Sequence, residues 1–415
     1  MSSRIAGAVS AIPSRGIVGT GWGTAAGTDS ALDLSIDIVT SVFQLRSLQA
    51  DYERLNRLAA NTLPFMQHDW HMAWANHFLN SNGRVRDTLH VCVVRDSRSV
   101  CVAIVPLVLT HRSVCGVEVR SLSLLGSDSA LTEIRSPLIA PGYGMRVAEL
   151  LQQRLAQPSN WDWVHWSGCD GAFGEGLAAN AVLRWQQAPP DYVIDLPSSW
   201  QELHRGLGRN ARESLRHCYN SLKREGLEFT LRVVSQPGET SAAVEHFLVL
   251  HASRAALTGT VAHPNHFAGA RSRAFLHELC RRFAERGALR IFQLVIRDQI
   301  VATRIAFIVG DSLYLYYSGF DPAWGRYSVM TTTLAEALKY AIGQGLRTVN
   351  LSTGTDQAKT RWGPRAVSTA QAVQLSPRWI SRMKHACYQR AFSANALPAW
   401  LESLLAGARR PRDRA

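Results

Sequence analysis

The residues of this chain best suited to chemistry surround a turn at Asp321–Ser328, which follows an aromatic strand at Leu313–Phe320. The turn contains a proline and a glycine, and Ser328 is placed to cap the next helix. Free N–H groups at a helix N-terminus attract phosphate, and Arg326 adds a positive charge there. The spacing therefore predicts an anion site. The alternative is a turn that only caps its helix.

A second charged group lies on a predicted basic helix at about residues 202–224. At about 100° per residue, its basic side chains fall within a sector of about 60°, opposite a leucine-rich face. They are Arg205, Arg209, Arg212, Arg216 and Lys223. Because like charges at this spacing repel, the row favours contact with an anionic ligand. The alternative is an ordinary solvated face.

A basic loop near the end of the same region carries Lys359, Arg361 and Arg365 around Trp362. These residues suit a clamp on an acyl donor or an acidic acceptor. The alternative is a loop that packs one tryptophan into the core.

Other motifs exclude several classes of protein. The histidine pairs His68/His71 and His263/His266 have no third ligand or carboxylate partner in the sequence, so we expect no metal site. The sequence has no nucleophile elbow, P-loop or G-x-G-x-x-G motif. It also lacks the signatures of common nucleic-acid-binding modules.

The elements that position these residues are predicted from length and composition. A chain of 415 residues with 46% hydrophobic residues and 12 tryptophans suits two globular domains. Strands and helices interchange along it, which predicts a mixed α/β (α+β) fold. We expect a flexible leader at 1–34, domains at 35–195 and 196–376, and a basic amphipathic tail at 377–415. The net charge of +13 favours an anionic partner.

The two predicted domains repeat one pattern. Val94-Arg95-Asp96 and Ile296-Arg297-Asp298 each form a tight turn between two strands. Scattered, unpaired cysteines and the lack of a signal peptide or an apolar span indicate a cytoplasmic protein. The basic tail suits contact with acidic lipid at the inner membrane. Its alternative is packing against the second domain.

The stretch from Leu313 to Pro364 resembles the C-terminal half of the CelD/BioF2-like acyltransferases, a FemAB-related branch of the GNAT superfamily. The resemblance rests on Phe320-Asp321-Pro322, Ser328, and Lys359 with Trp362-Gly363. An Arg209-Asn210-x-Arg212 helix and a Leu250-His251-x-x-Arg254 segment add to it. Together the motifs cover roughly residues 45–375.

This resemblance implies two tandem GNAT-like domains, each a central mixed sheet flanked by helices. It also implies transfer of an acyl group from acetyl-CoA or another acyl-CoA to an amine or hydroxyl, often on an envelope saccharide. The donor would lie along the strand and on the turn, at Tyr316, Ser318, Gly325, Arg326, Tyr327 and Ser328. Asp321 or His251 would be the base and Tyr317 the acid. An anionic acceptor would meet Arg209, Arg212, Arg216, Arg254, Lys359 and Trp362.

One departure from the family concerns the turn, which has a single glycine, Gly325, where relatives usually have two. A tighter turn leaves room for a different donor. The alternatives are therefore a FemAB-like transferase that uses aminoacyl-tRNA, and a non-catalytic anion- or membrane-binding protein. Nucleic acid is a partner only in the first of these.

Overall fold

A computed structural model describes residues 34–59, 63–114, 116–126, 131–156, 161–258, 263–354 and 357–392, without the side chain of Phe392. The predicted leader, apart from Leu34, and the tail beyond residue 392 lie outside the described residues.

The chain forms two mixed sheets flanked by helices, which confirms the predicted fold class. The first sheet contains β1 (Ser35–Val39), β2 (Val85–Arg95), β3 (Cys101–Val114), β4 (Val117–Leu124), β5 (Leu138–Ile139), β6 (Trp163–Ser167), β7 (Leu183–Gln187) and β15 (Ala370–Leu375). Its order is β1-β2-β3-β4-β6-β15-β7, with β5 beside β3. Strands β4 and β6 are parallel, and their neighbours are antiparallel.

The second sheet has the same plan. It contains β8 (Asp191–Asp195), β9 (Phe229–Val234), β10 (Leu289–Ile296), β11 (Gln299–Val309), β12 (Ser312–Phe320), β13 (Thr348–Thr353) and β14 (Arg365–Val367). Its order is β14-β8-β13-β12-β11-β10-β9. Strands β12 and β13 are the parallel pair.

Each sheet contains a strand from the other half of the chain. Strand β15 lies between β6 and β7 of the first sheet, and β8 lies between β13 and β14 of the second. The shared strand order agrees with the repeat read from the sequence. The domain limit at 195/196 stays a prediction, and both exchanged strands join a sheet on the far side of it.

Helices cover the faces of both sheets. They are α1 (Val42–Ser47), α2 (Gln49–Leu58), α3 (His68–Phe78), α4 (Gly144–Ala156), α5 (Gly171–Asn180), α6 (Trp200–Gly206), α7 (Arg209–Arg224), α8 (Pro237–Ala255), α9 (Ala270–Glu285), α10 (Val329–Gly343), α11 (Gln357–Thr360) and α12 (Trp379–Phe392). Short 3-10 helices lie at Pro64–Met66 and Pro322–Tyr327. None of the helices in the described ranges is long and apolar enough to cross a bilayer.

The prediction of one basic helix at 202–224 was wrong. The helix breaks at Leu207 and Gly208, which both have extended backbones, so α6 and α7 are separate. Leu207 is buried between two glycines, Gly206 and Gly208, which are weak helix formers. Arg205 consequently precedes the break, whereas the other four basic residues remain on α7.

An aromatic cluster joins the two halves of the chain. Phe65 lies 5.1 Å from Tyr314 and Trp70 lies 5.5 Å from Tyr316, measured between ring centroids in edge-on contacts. All four side chains are buried. Strand β12 is therefore packed directly against the first half of the chain.

On β12, Gly319 allows α8 to approach the sheet closely. A Cβ atom at this position would lie 2.4 Å from the backbone nitrogen of His251 and 2.5 Å from the carbonyl carbon of Leu250. Backbone atoms cannot give way as a flexible side chain can. The glycine thereby fixes the distance between the helix and the strand.

We expect Gly319→Ala to lower the free energy of unfolding by about 1–3 kcal/mol, because the added methyl group overpacks this contact. Denaturant unfolding of the full chain measures the change. Gly325→Ala is the matched control, since a Cβ there meets its nearest atom at 3.6 Å. A loss of stability as large in the control would contradict the interpretation.

Candidate active site

The site is centred on a fork between β12 and β13. The two strands pair from Ser312 and Thr348 to Tyr314 and Asn350, and then separate. Just beyond the last pair, each strand has a bulge against its other neighbour. A bulge bends its strand and increases its twist. The two bulges account for the opening of the fork.

Asn350 organises the β13 side of the fork. Its Oδ1 accepts a hydrogen bond from the backbone N–H of Ser352 at 2.8 Å, and its Nδ2 donates to Asp191 at 2.5 Å. Ser352 has a φ of 72°, in the left-handed region that non-glycine residues rarely adopt. The side chain of Asn350 thus holds the bend that turns β13 away from β12.

Glu133, from the first half of the chain, bridges the two strands at this fork. Its Oε2 accepts hydrogen bonds from the Tyr314 hydroxyl at 2.5 Å and from the Ser352 hydroxyl at 2.6 Å. Tyr314 lies on β12 and Ser352 on β13. Burial raises the pKa of Tyr314 well above its usual value, so its hydroxyl stays protonated and donates. One carboxyl group therefore lies where the strands part.

The surroundings of Glu133 favour its neutral form. Burial raises the pKa of this carboxyl above its ordinary value of 4.5, although the two hydroxyls and nearby Lys359 oppose the shift. Glu133 is densely surrounded by protein, yet part of its surface remains open. Lys359 itself donates a hydrogen bond to the carbonyl of Thr353. A carboxyl group of this kind can exchange a proton with a bound molecule.

The segment that carries Glu133 is held by hydrogen bonds at the two preceding residues. The carbonyl of Leu131 accepts from the Tyr316 hydroxyl at 2.6 Å, and Thr132 Oγ1 accepts from Trp70 Nε1 at 3.1 Å. In the repeat, the chain between β4 and α4, described at 125–126 and 131–143, follows β4 as the turn 321–328 follows β12. The first half thus presents a long segment to the fork of the second half.

The turn after β12 is a 3-10 helix followed by a left-handed residue. Asp321 Oδ1 accepts from the backbone N–H of Ala323 at 3.0 Å, so this carboxylate holds the start of the turn. Ser328 occupies the predicted N-cap position of α10, but its side chain makes no capping hydrogen bond. Its φ is 53° and ψ 41°. A right-handed residue followed by a left-handed one directs successive N–H groups into an anion-binding concavity.

Arg326 lies on the exposed side of this turn. It pairs with Glu225 at the end of α7, with 3.3 Å between Nη2 and Oε2, and stacks 4.7 Å from the ring centroid of Tyr327. The Tyr327 hydroxyl also donates to Glu225. The guanidinium is therefore held beside the turn, where a bound phosphate would compete with Glu225 for it.

His251 and Arg254 of α8 meet the outer part of β12. His251 Nδ1 lies 3.0 Å from the carbonyl oxygen of Ser318, and Arg254 Nη1 donates to the Ser318 hydroxyl at 2.9 Å. Burial lowers the pKa of His251, and a carbonyl can only accept, so Nδ1 carries the proton. Its Nε2 keeps a lone pair and has no hydrogen-bond partner within the described residues. Tyr317 packs edge-on against this ring at 5.6 Å.

The other predicted ligand residues lie on α7 and in the core packed against it. Arg209, Arg212 and Arg216 are exposed along α7, and Arg209 pairs with Glu213 at 2.8 Å. Trp362 is only 3% exposed and packs in the core with residues of α7 and α10. Its position matches the packing alternative stated for this loop.

A cleft of about 870 Å³ opens beside the fork, between the two halves of the chain. Ile134, Asp191 and Asn350 are among its lining residues. Four aspartates and two arginines supply its charged groups: Asp170, Asp191, Asp195, Asp311, Arg347 and Arg365. Both arginines are paired with aspartates of the cleft. Ile134 follows Glu133 directly in the chain, which brings the cleft close to Glu133.

Sequence reasoning placed the turn, Tyr316–Ser318, His251 and Arg254 in one region, and the structure brings these residues to β12 and its end. It missed Glu133. This residue belongs to no motif, and its role depends on the packing of one repeat against the other. Only a long-range contact prediction between residues 133 and 314 would have revealed it.

A parallel strand pair that splays at a bulge and leads through a turn into a helix defines the acyltransferase fold of the GNAT superfamily. Residues 209–360 match the family described as acetyltransferase (GNAT) domain. The matched segment includes β12, the turn that follows it, and β13. The search of curated proteins gave no significant match.

Several solved structures are similar to this chain at low sequence identity. FemX matches with a TM-score of 0.52 and 9% identity over 78% of this chain and 95% of its own. L-PGS from Bacillus licheniformis matches with a TM-score of 0.48 and 11% identity, over 83% of this chain and 96% of its own. A tandem GNAT protein from the clavulanic acid biosynthesis pathway matches with a TM-score of 0.42 and 11% identity. The match covers 83% of this chain and 99% of that protein. The likeness to FemX identifies a FemAB-related fold.

The environment of Glu133 predicts a pH-dependent contribution to stability. The folded state raises the pKa of Glu133 above 4.5, which means that folding favours the protonated carboxyl. Glu133 therefore contributes more to stability below pH 4.5 than at higher pH. The contribution is lost as pH rises through the folded pKa. We therefore expect the free energy of unfolding of the wild type, minus that of Glu133→Gln, to fall above pH 4.5 and then level off.

Urea unfolding of both proteins across this pH range measures the difference. Glu278→Gln is the control with the opposite sign, because its hydrogen bonds with Arg282 and its neighbours lower the pKa of Glu278. A difference that does not vary with pH for Glu133→Gln would show that the carboxyl is not perturbed.

Proposed function

We propose that this acyltransferase takes its acyl group from acyl-CoA, bound at the fork between β12 and β13, and transfers it to an amine or hydroxyl of an anionic acceptor. The observation that supports this most directly is the fork itself. The bulges on both strands leave backbone groups of β12 without strand partners on the β13 side. An extended amide-containing arm such as pantetheine can pair with such groups.

The direction of the donor follows from the turn. Its pyrophosphate would lie on Gly325–Ser328, where the left-handed Ser328 supplies the backbone shape that a second glycine provides in relatives. The arm would run back along Phe320–Tyr316. Its thioester would then lie at the closed end of the fork, beside Tyr314 and Glu133.

With the donor arm in this direction, the candidate bases differ in their distance from the thioester. Ser318 lies four positions after Tyr314 on β12, so the two residues are about 13 Å apart along the strand. His251 is bonded to Ser318, and Asp321 is bonded within the turn, whereas Glu133 is bonded at Tyr314. We therefore assign Glu133 as the base nearest the thioester, with His251 as the second candidate.

In a direct transfer, these groups account for each proton that moves and for the leaving thiolate. Glu133 accepts the proton of the acceptor, the new C–N or C–O bond forms at the acyl carbon, and the C–S bond breaks. The CoA thiolate leaves and takes up a proton, for which Tyr317 is the candidate donor. A carboxyl with a raised pKa is a better match to this task near neutral pH than an ordinary glutamate.

The cleft favours an amine over a hydroxyl as the acceptor group. Its aspartates outnumber its arginines, and those arginines are already paired. Carboxylates attract an ammonium group and repel a phosphate. The anionic part of an envelope- or polysaccharide-related acceptor would extend outside the cleft, toward Arg254 beside Ser318.

Donor binding is tested by isothermal titration of the full chain with acetyl-CoA. Gly325→Asp places a negative charge on the turn and should weaken binding about tenfold or more, since about 1.4 kcal/mol of repulsion is a factor of ten. Gly238→Asp adds the same charge at an exposed position of α8 with open space around it, and should leave binding unchanged.

Arginine variants give a second comparison in the same assay. Arg326→Ala should weaken acetyl-CoA binding, and Arg232→Ala, which removes another paired surface arginine, should not. If the wild type does not bind acetyl-CoA or a longer acyl-CoA, the proposal fails. Tight tRNA binding that CoA does not affect would instead favour transfer from aminoacyl-tRNA.

The base is tested by Glu133→Gln, which keeps an oxygen that can accept from Tyr314 and Ser352. We expect acetyl-CoA affinity within about twofold of the wild type, but release of free CoA thiol slower by about 100-fold with amine acceptors. In the wild type the rate should rise with pH as Glu133 loses its proton, and the variant should lose that rise. An unchanged rate, with His251→Ala inactive, would transfer the role to His251.

A further inference from the structure

Helix α12 is firmly attached to the first sheet by one face. Asp162 accepts hydrogen bonds from the Ser381 hydroxyl at 2.8 Å and from Lys384 Nζ at 3.2 Å. His385 and Tyr388 pack on Trp163, with ring centroids 5.1 and 5.0 Å apart. Ser381 and His385 are buried. The orientation of the helix is therefore fixed, and its opposite face points away from the sheet.

That opposite face is apolar and exposed. Trp379 is 72% exposed, Met383 57% and Ile380 37%. Cys387, also exposed, continues the line formed by Trp379 and Met383 at four-residue spacing. At about 100° per residue these four side chains fall within an arc of about 100°. A tryptophan exposed to this degree beside other apolar residues marks a surface that contacts something else.

Positive charges lie on and beside the apolar face. Arg378, just before the helix, and Arg382 and Arg390 on it are exposed. At about 100° per residue, Arg382 lies beside the apolar arc and Arg390 within it, near the C-terminal end of the helix. No aspartate or glutamate occurs between residues 376 and 392. The sequence that follows carries four further arginines near its end: Arg409, Arg410, Arg412 and Arg414. An apolar face with a tryptophan and a cationic border complements a bilayer that contains anionic phospholipid.

The length of the helix sets the geometry of such a contact. Fourteen residues extend about 21 Å, less than the roughly 30 Å thickness of a hydrocarbon core. The helix would lie in the plane of the interface, with the apolar residues inserted and the arginines at the phosphates. A second copy of the chain is a poorer partner, since two such faces would place arginines against arginines.

We propose that the outward face of α12 docks the protein onto bilayers of anionic phospholipid. The contact is independent of acyl transfer, because α12 lies on the first sheet and the fork belongs to the second. It would keep the enzyme peripheral to the membrane.

The test is co-sedimentation of the full chain with vesicles of phosphatidylcholine alone and of phosphatidylcholine mixed with phosphatidylglycerol. We expect binding to the mixed vesicles that weakens as salt is raised, and little binding to the neutral ones. Trp379→Ser combined with Met383→Ser should reduce the partition coefficient about tenfold or more. Arg378→Gln combined with Arg382→Gln should reduce it on mixed vesicles and weaken its dependence on salt.

The control replaces Phe43 and Val182, which are 80% and 91% exposed on other elements, by serine. These changes should leave vesicle binding unaltered. Because all the substituted side chains are exposed, circular dichroism and the thermal midpoint should match the wild type. Failure to bind the mixed vesicles, or equal loss in the control, overturns the proposal. A change of oligomeric state in the Trp379→Ser, Met383→Ser variant would identify a second copy as the partner instead.

Discussion

The hydrogen bonds that Glu133 accepts from Tyr314 and Ser352 are the interaction on which the site depends. They hold one carboxyl between two strands that are separating, and they connect the first half of the chain to the fork of the second. A splayed strand pair alone offers backbone groups to a donor but no group that can take up a proton. The bridge places a carboxyl group at the closed end of the fork, which is the group that we propose as the base.

The two repeats have consequently become unequal. In the second repeat, a short turn leads directly from the splayed strand into a helix. In the first, the segment at residues 131–134 comes before the corresponding helix and contacts the neighbouring repeat. Its contacts with Trp70 and Tyr316 fix it there. In the proposed function, the second repeat binds the donor and the first contributes the side chain that accepts the proton.

Much of this architecture could be predicted locally. The aromatic strand, the turn and the helix from 313 to 343 follow from residue pattern, because each is determined by neighbours in sequence. The break at Leu207 and the left-handed Ser328 escaped prediction, since burial and the surrounding fold override weak local preferences there. Glu133 and the exchanged strands could not be found, because both depend on contacts between residues far apart in the chain.

The exchange of strands also determines the order in which the protein can be built during synthesis. In the first sheet Ser167 pairs with Gln371, and that strand leaves the ribosome only after nearly all of the second half has been made. Until then β6 and β7 have no strand between them and present open edges, which invite pairing with other chains. Closing the sheet across so long a stretch of chain is a slow, non-local step. We therefore expect the first sheet to stay incomplete during synthesis until β15 inserts, and its open strand edges to be prone to aggregation until then.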